Sequence, residues 1–241
     1  MHNHNVEARI SMRIHKYISL TGFCSRRETN RLLKSGRISI NGEIANKDSF
    51  VHEMDTVLID GKVIPQKASA IYLAFNKPVG VTTTSNPDID GNILEYIDMS
   101  ERVFAVGRLD KASQGLILLT NDGELANRIS QSDYGHEKEY EVTVDQPVTE
   151  LFLQKMAQGV LILNAVTKPA KTEHVSKFVF RITLTQGLNR QIRRMCKTLG
   201  YEVEKLERIR IMNIHLHALE TGKWRYLRDD ELSDLKKGLE I

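Results

Sequence analysis

Val106-Gly107-Arg108-Leu109-Asp110-Lys111-Ala112-Ser113-Gln114-Gly115-Leu116 is the stretch around which the chain is organised. Apolar runs flank it, residues 103–106 before and 116–119 after. Runs of this length with glycine between them read as buried strands joined by a loop. The pattern predicts that Asp110 sits on a loop held at both ends by strands, where a rigid scaffold can present a reacting group. A lone Asp after Arg-Leu is ordinarily a turn residue, so the rest of the chain must supply the case for chemistry.

The 241 residues suffice for two domains or one large one. A hydrophobic share of 41% and a charged share of 27% are ordinary for a globular protein. No apolar stretch approaches the roughly 20 residues that span a bilayer. Met1-His2-Asn3-His4-Asn5 lacks the regions of a signal peptide, so no leader is expected. Cys24 and Cys196 form no Cys-x-x-Cys, which suits a reduced, cytoplasmic setting with both as small core residues. The His-x-Glu and Cys-x-x-Cys ligands of a zinc deaminase are absent, and Gly222-Lys223 runs into Trp224, which excludes a Walker A loop.

The net charge is only +3, but it is unevenly spread. Residues 13–37 hold seven Lys/Arg and one acid, and residues 186–228 hold ten Lys/Arg and four acids. Two basic segments on a nearly neutral chain point to a polyanion held at two places. Few aromatics accompany them, which favours contacts to a folded phosphate backbone over a single-strand stacking platform.

Residues 13–20 read as a short helix with Ile14, Tyr17 and Ile18 on one side and Gly22 after its end. Ser25-Arg26-Arg27-Glu28 has the form of a capping box opening a second helix, with Leu32 and Leu33 inward and Gly36 closing it. Arg26, Arg27, Arg31 and Lys34 stay outside, and Arg27, Arg31 and Lys34 share a face. A strand over 37–40 leads to a tight turn at Asn41-Gly42, with another at Asp60-Gly61. This order of helices, strand and hairpin resembles the S4 RNA-binding module from Met12 to about Ile64. The resemblance implies binding to structured RNA and leaves the activity open. Residues 65–69 read as a linker, which divides the chain into domains 1–67 and 68–241.

The second domain opens with a strand over 70–75, ended by Asn76-Lys77-Pro78-Val79-Gly80. Lys77 is a candidate for RNA phosphate. Residues 82–91 read as a polar loop. After the Asp110 loop and its strand, Asn121 is expected to cap a helix with Glu124 in its first turn. Tyr140, Val142 and Val144 alternate with Glu139, Glu141 and Thr143, a half-buried strand with Tyr140 on the apolar face. There Tyr140 is either a core aromatic or a cleft wall with its ring against a base. Residues 151–156 read as helix, 160–177 as irregular and 178–184 as strand. Asn189 is expected to cap a helix that ends at Gly200. Ile192, Met195, Cys196 and Leu199 form its buried stripe, while Arg190, Arg194 and Lys197 share another face suited to phosphate. Arg193 borders the stripe, needs an acceptor, and is suited to hold a carboxylate bidentately, with Asp110 as candidate partner. Arg208 and Arg210 alternate with Ile209 and Ile211 and so are expected on the opposite face. A last strand at 222–227 and an acid-started helix from Asp229 complete the chain.

Together, Gly107-Arg108-Leu109-Asp110-x-x-Ser113-x-Gly115-Leu116, Lys138-x-Tyr140 and Asn189-x-Gln191-Ile192-Arg193-Arg194-Met195 resemble the pseudouridine synthases of the RsuA/RluB/RluE/RluF branch, the RluF type above all. With the S4-like module the resemblance covers nearly the whole chain. It implies an α+β fold, a small RNA-binding domain followed by a catalytic domain with a mixed, mainly antiparallel sheet flanked by helices. It implies isomerisation of uridine to pseudouridine in structured RNA without cofactor or metal: the C1′–N1 bond breaks, the base turns, and C1′ bonds to C5. Asp110 corresponds to the catalytic aspartate, Tyr140 to the tyrosine that stacks on the flipped uracil, and Arg193 to the arginine paired with the aspartate. Attack at C1′, attack at C6 and a glycal route all stay open. Leu206 is a candidate apolar wall of the uracil site. Arg108, Arg190, Arg194, Lys197 and Arg208, with the arginines of the first domain, are candidate RNA contacts. The expected partner is a 23S rRNA stem-loop, with a tRNA stem-loop as a second substrate, bound by a monomer with no membrane involved. The competing reading is a non-catalytic rRNA-binding or ribosome-assembly factor, which has no need of Asp110, Tyr140 and Arg193 together.

Overall fold

The computed structural model describes residues 11–64, 69–86, 88–131 and 135–241, so the expected linker at 65–69 lies outside the described residues except for Ser69. The chain divides into two compact units, Met1–Ala70 with Met99–Arg102, and Ile71–Asp98 with Val103–Ile241.

In the first unit β1 (Ser11–Arg13) leads into α1 (Ile14–Leu20) and α2 (Arg26–Lys34), followed by β2 (Ile38–Ile40), β3 (Glu43–Ile44), β4 (Phe50–His52), β5 (Val57–Ile59) and β6 (Lys62–Val63). β1 pairs with β4, and the other strands form a sheet in the order β3-β2-β5-β6. Both expected tight turns form, with Asn41, Gly42, Asp60 and Gly61 all at positive φ, as primed hairpin turns require. Ile14, Ile18, Leu32, Leu33, Ile38 and Ile59 share one core. Only half of the expected capping box forms. Ser25 Oγ accepts the Glu28 N–H, but the Glu28 carboxylate turns outward to Arg31 at 3.1 Å.

The second unit is built on one mixed sheet. Its elements are β7 (Tyr72–Lys77), β8 (Phe104–Val106), β9 (Gln114–Thr120), α3 (Gly123–Ser130), β10 (Lys138–Val144), α4 (Glu150–Gln158), β11 (Leu161–Ile162), β12 (Ala165–Val166), β13 (Lys171–Ser176), β14 (Val179–Leu184), α5 (Gln191–Thr198), β15 (Val203–Ile211), β16 (Ile214–His215), β17 (Trp224–Tyr226) and α6 (Asp229–Gly238). The order is β13-β14-β10-β15-β9-β7-β17, with β8 on β9 and β16 on β15. Among the described residues, the β9–β15 pairing is the parallel one between strands of this sheet. One core packs α4 and α5 on β10 and β14 through Phe152, Met156, Phe180, Ile192, Met195 and Cys196. A second packs α3 and α6 on β7 and β9 through Leu116, Leu118, Leu125, Ile129 and Leu235.

Four local expectations are corrected. β7 runs two residues further than read, which carries Lys77 into the strand. Asp122, not Asn121, caps α3, accepting the N–H groups of Glu124 and Leu125, because Asn121 Oδ1 is taken by the Ile71 N–H at 2.8 Å. Arg190, not Asn189, occupies the cap position of α5, in a left-handed conformation. The Asn189 oxygens accept from Arg194 instead. The stretch read as irregular contains β11, β12 and β13; β13 is an exposed edge strand with no apolar alternation to betray it.

Candidate active site

Asp110 lies on the 107–113 loop between β8 and β9, which pair antiparallel. The loop is held from several sides. The Ser113 N–H donates to the Asp110 main-chain oxygen at 3.0 Å and closes a turn over residues 110–113. The Gly80 N–H donates to Lys111 O at 2.8 Å, so the Pro78–Gly80 turn braces the loop. Thr83 Oγ1 donates to Leu109 O at 2.8 Å and accepts the Leu109 N–H at 3.3 Å. Thr83 carried no sequence signal, since it was one of several threonines in a polar stretch.

Arg193 reaches the same loop from α5. Its Nη2 donates to Ala112 O at 2.9 Å and lies 3.4 Å from Ser113 Oγ, while its Nη1 donates to Val203 O at 3.0 Å. The bidentate pairing with the Asp110 carboxylate is therefore corrected. Two backbone carbonyls, fixed by the loop and by β15, hold the two terminal nitrogens, while Nε is buried without a hydrogen-bond acceptor. Burial pulls Arg193 below the usual arginine value, Arg190 adds to the shift, and Asp110 is near enough to oppose it. Among the described residues the Asp110 side chain has neither an ion pair nor a hydrogen bond, so the carboxylate is uncommitted.

That carboxylate borders a cavity of about 110 Å³. Arg108 and Ser113 come from its own loop, Tyr140 from β10, Leu206 from β15, and Gln186, Leu188, Arg190 and Gln191 from the approach to α5. The volume is below the ~300 Å³ of sites for drug-sized ligands and suits a single small ring. Tyr140 is on the apolar face, as the alternation required, with Val142 and Val144 beside it in the core. Gln191 is a site residue that its side-chain chemistry alone did not reveal. It is buried, and its Oε1 accepts the Leu188 N–H at 3.0 Å, which shapes the cavity rim.

The basic residues divide. Arg190, Arg194 and Lys197 are exposed and, with Arg193, Glu202 and Val203, line an open pocket of about 270 Å³. In the first unit Arg26, Arg27, Arg31 and Lys34 are exposed, as expected. Lys77 and Arg208 are not available to phosphate. Arg208 is 2% exposed and Lys77 is fully buried, its Nζ donating to Pro78 O at 2.8 Å and Val81 O at 2.9 Å. The alternation that put Arg208 and Arg210 on one face is broken by a bulge. Glu139 pairs with Arg210 and Tyr140 with Arg208, which leaves Ile209 between them. Arg208 thereby shares the Tyr140 face, and Arg210 binds Glu137 and Glu139 on the other.

Burial lowers Lys77 to about 8 from 10.5, with Asp110 opposing the shift and Arg208 adding to it. The sign for stability follows. The unfolded chain holds this proton more tightly, so the charged lysine costs stability below about 8 and the cost fades as pH rises toward 10.5. Relative to Lys77→Met, the wild type is expected to gain about 2 kcal/mol between about pH 7.5 and 9.5. Urea titrations of both proteins at the two pH values check this, and a constant difference would show that Lys77 titrates normally.

The RNA pseudouridylate synthase family model matches residues 71–198, and the S4 domain model matches residues 12–57. The dual-specificity RNA pseudouridine synthase RluF of Escherichia coli (strain K12) is 52% identical over 232 residues, covering 95% of this chain and 80% of that protein. The ribosomal large subunit pseudouridine synthase B of Bacillus subtilis (strain 168) is 30% identical over 233 residues, covering 93% and 95%. A crystal structure of a pseudouridylate synthase superposes with a TM-score of 0.70 at 30% identity, covering 93% of this chain and 99% of that one. No helix among the described residues is long and apolar enough to cross a membrane.

Proposed function

Because this chain belongs to the RNA pseudouridylate synthase family, whose members isomerise uridine to pseudouridine in RNA, we propose that it does so through Asp110, on a stem-loop of large-subunit ribosomal RNA and on a transfer RNA. The observation that carries the catalytic assignment is an uncommitted carboxylate bordering a cavity that fits one small ring, with Tyr140 and Leu206 on its walls. A uridine inside RNA structure must leave its stack before its glycosidic bond can be reached, at a cost on the order of a few kcal/mol. The basic face of α5 and the exposed arginines of the first unit are suited to offset that cost through phosphate contacts.

In this reading the flipped uracil enters beside Asp110 with its face on the Tyr140 ring and its edge against Leu206. Attack at C1′, attack at C6 and the glycal route all need an ionised carboxylate at the sugar–base junction. Arg193 positions the loop that carries the carboxylate by holding Ala112 O, so its contribution is geometric. The C1′–N1 bond breaks, the base turns within the cavity, C1′ bonds to C5, the C5 hydrogen leaves as a proton, and N1 takes up a proton. The domain limits are read as 1–67 and 68–241, and the enzyme as a cytoplasmic monomer.

The substrate reading draws on the dual-specificity relative and on the ribosomal large subunit relative. It is tested by tritium release from RNA labelled at uridine C5, with unmodified 23S rRNA and bulk tRNA as separate substrates. Release from both is expected. Release from rRNA alone would remove the tRNA half. Binding of both without release would favour an RNA-binding factor that keeps the fold.

A further inference from the structure

A cation is buried beneath the Tyr140 ring. Arg208 is 2% exposed, and its Cζ lies 6.0 Å from the ring centroid. Its place follows from the sheet. Lys77 is opposite Gly115, Gly115 is opposite Arg208, and Arg208 is opposite Tyr140, so the four stand in one row across β7, β9, β15 and β10. Gly115 contributes no side chain to that row. The bulge at Ile209 keeps Arg208 in the row while turning Arg210 away. Arg208 Nε donates to Leu116 O at 2.7 Å, which ties the guanidinium to the strand leading out of the Asp110 loop.

Pairing does not explain this residue. Among the described residues Arg208 has no carboxylate partner, and its Nη2 is buried without a hydrogen-bond acceptor. Its charge adds to the lowering of Lys77 and Lys138, both cations. A guanidinium buried without a carboxylate partner is unfavourable, and an apolar side chain would suit the sheet better. The acceptor that remains is the negative face of the Tyr140 ring. Arg stacks on such a face with its plane, which Lys cannot do.

We infer that Arg208 is the positioning residue for Tyr140: its guanidinium, anchored on Leu116 O, holds the ring at the tilt on which a flipped uracil stacks. The inference rests on the reading of Tyr140 as the stacking residue. It assigns Arg208 no contact with RNA and no part in proton transfer.

The test is a double-mutant cycle on the RNA that the wild type turns over, read as single-turnover pseudouridine formation and as RNA affinity. Arg208→Met is expected to slow turnover about a hundredfold, the scale of a reacting-group displacement near 1 Å, with affinity within about twofold. Arg208→Lys is expected to keep the fold and the charge but recover little of the rate, since the planar stack is lost. In a Tyr140→Ala background, Arg208→Met is expected to change the rate less than about twofold, because contacting residues are not additive. Equal slowing in both backgrounds would make Arg208 a scaffold residue and overturn the inference alone. A wild-type rate in Tyr140→Ala would overturn the reading of Tyr140 and this inference with it. Should Arg208→Met fail to fold by circular dichroism, Arg208→Lys carries the rate test, and unfolding of both variants assigns Arg208 to the sheet and overturns the proposal.

Discussion

Asp110→Asn is expected to abolish pseudouridine formation while leaving folding and RNA affinity intact. The amide matches the carboxylate in shape, and the Asp110 side chain holds no hydrogen bond or ion pair that the substitution would break. Stability should therefore stay within about 0.5 kcal/mol of the wild type. What is lost is a charge that each of the three chemical routes uses at the sugar–base junction. Removal of a group that acts in the reaction itself costs about 10⁴-fold or more in turnover. Tritium release, a thermal melt and filter binding measured on the same preparation separate the three effects. Release that persists in the variant would move the catalytic centre elsewhere in the cavity.

Gly115→Ala is expected to have the largest effect on stability of any single methyl added to this chain near the site. A Cβ built there falls 2.4 Å from Arg208 O and 2.6 Å from Arg208 N, both backbone atoms of the facing strand. Backbone has no rotamer into which it can retreat, so β9 and β15 must separate. Gly115 also has φ +107°, a region that an L side chain rarely adopts. Strain of this kind costs on the order of 1–3 kcal/mol before any clash is counted, and the sum should exceed about 4 kcal/mol, a range reserved for a few mechanisms. The β9–β15 pairing is the parallel seam of the sheet among the described residues and joins the strand after Asp110 to the strand carrying Leu206 and Arg208. Turnover should fall even where the fold survives. Urea titration and single-turnover rates check both. A variant of near-normal stability would mean that the seam can open without loss.

The Asp110 loop was legible because its signals are local: two apolar runs, glycines at the ends, and a carboxylate between them. Tyr140 was legible because period-two alternation assigns its face wherever the strand goes. The buried stripe of α5 followed from helical spacing in the same way. The errors share another cause. Asn121 and Asp122 are both good caps, and sequence does not rank neighbours. The choice at α3 was made by the Ile71 N–H, fifty residues away, which took Asn121. β13 was missed because an exposed edge strand needs no apolar pattern.

The sequence by itself determined the strand–loop–strand that carries Asp110 and the face of Tyr140, since each is written in short-range pattern and residue type, and its motifs carried the resemblance that implied the RNA-directed chemistry. Only the tertiary structure decided what the basic residues do. Lys77, Arg193 and Arg208 look alike as charges in a sequence, yet one is sealed inside on two carbonyls, one braces the Asp110 loop, and one lies beneath an aromatic ring. A bulge of one residue and the seam across Gly115 set those fates. The physical reason is that a charge is directed by what surrounds it, and in this sheet the surroundings come from strands far apart in the chain.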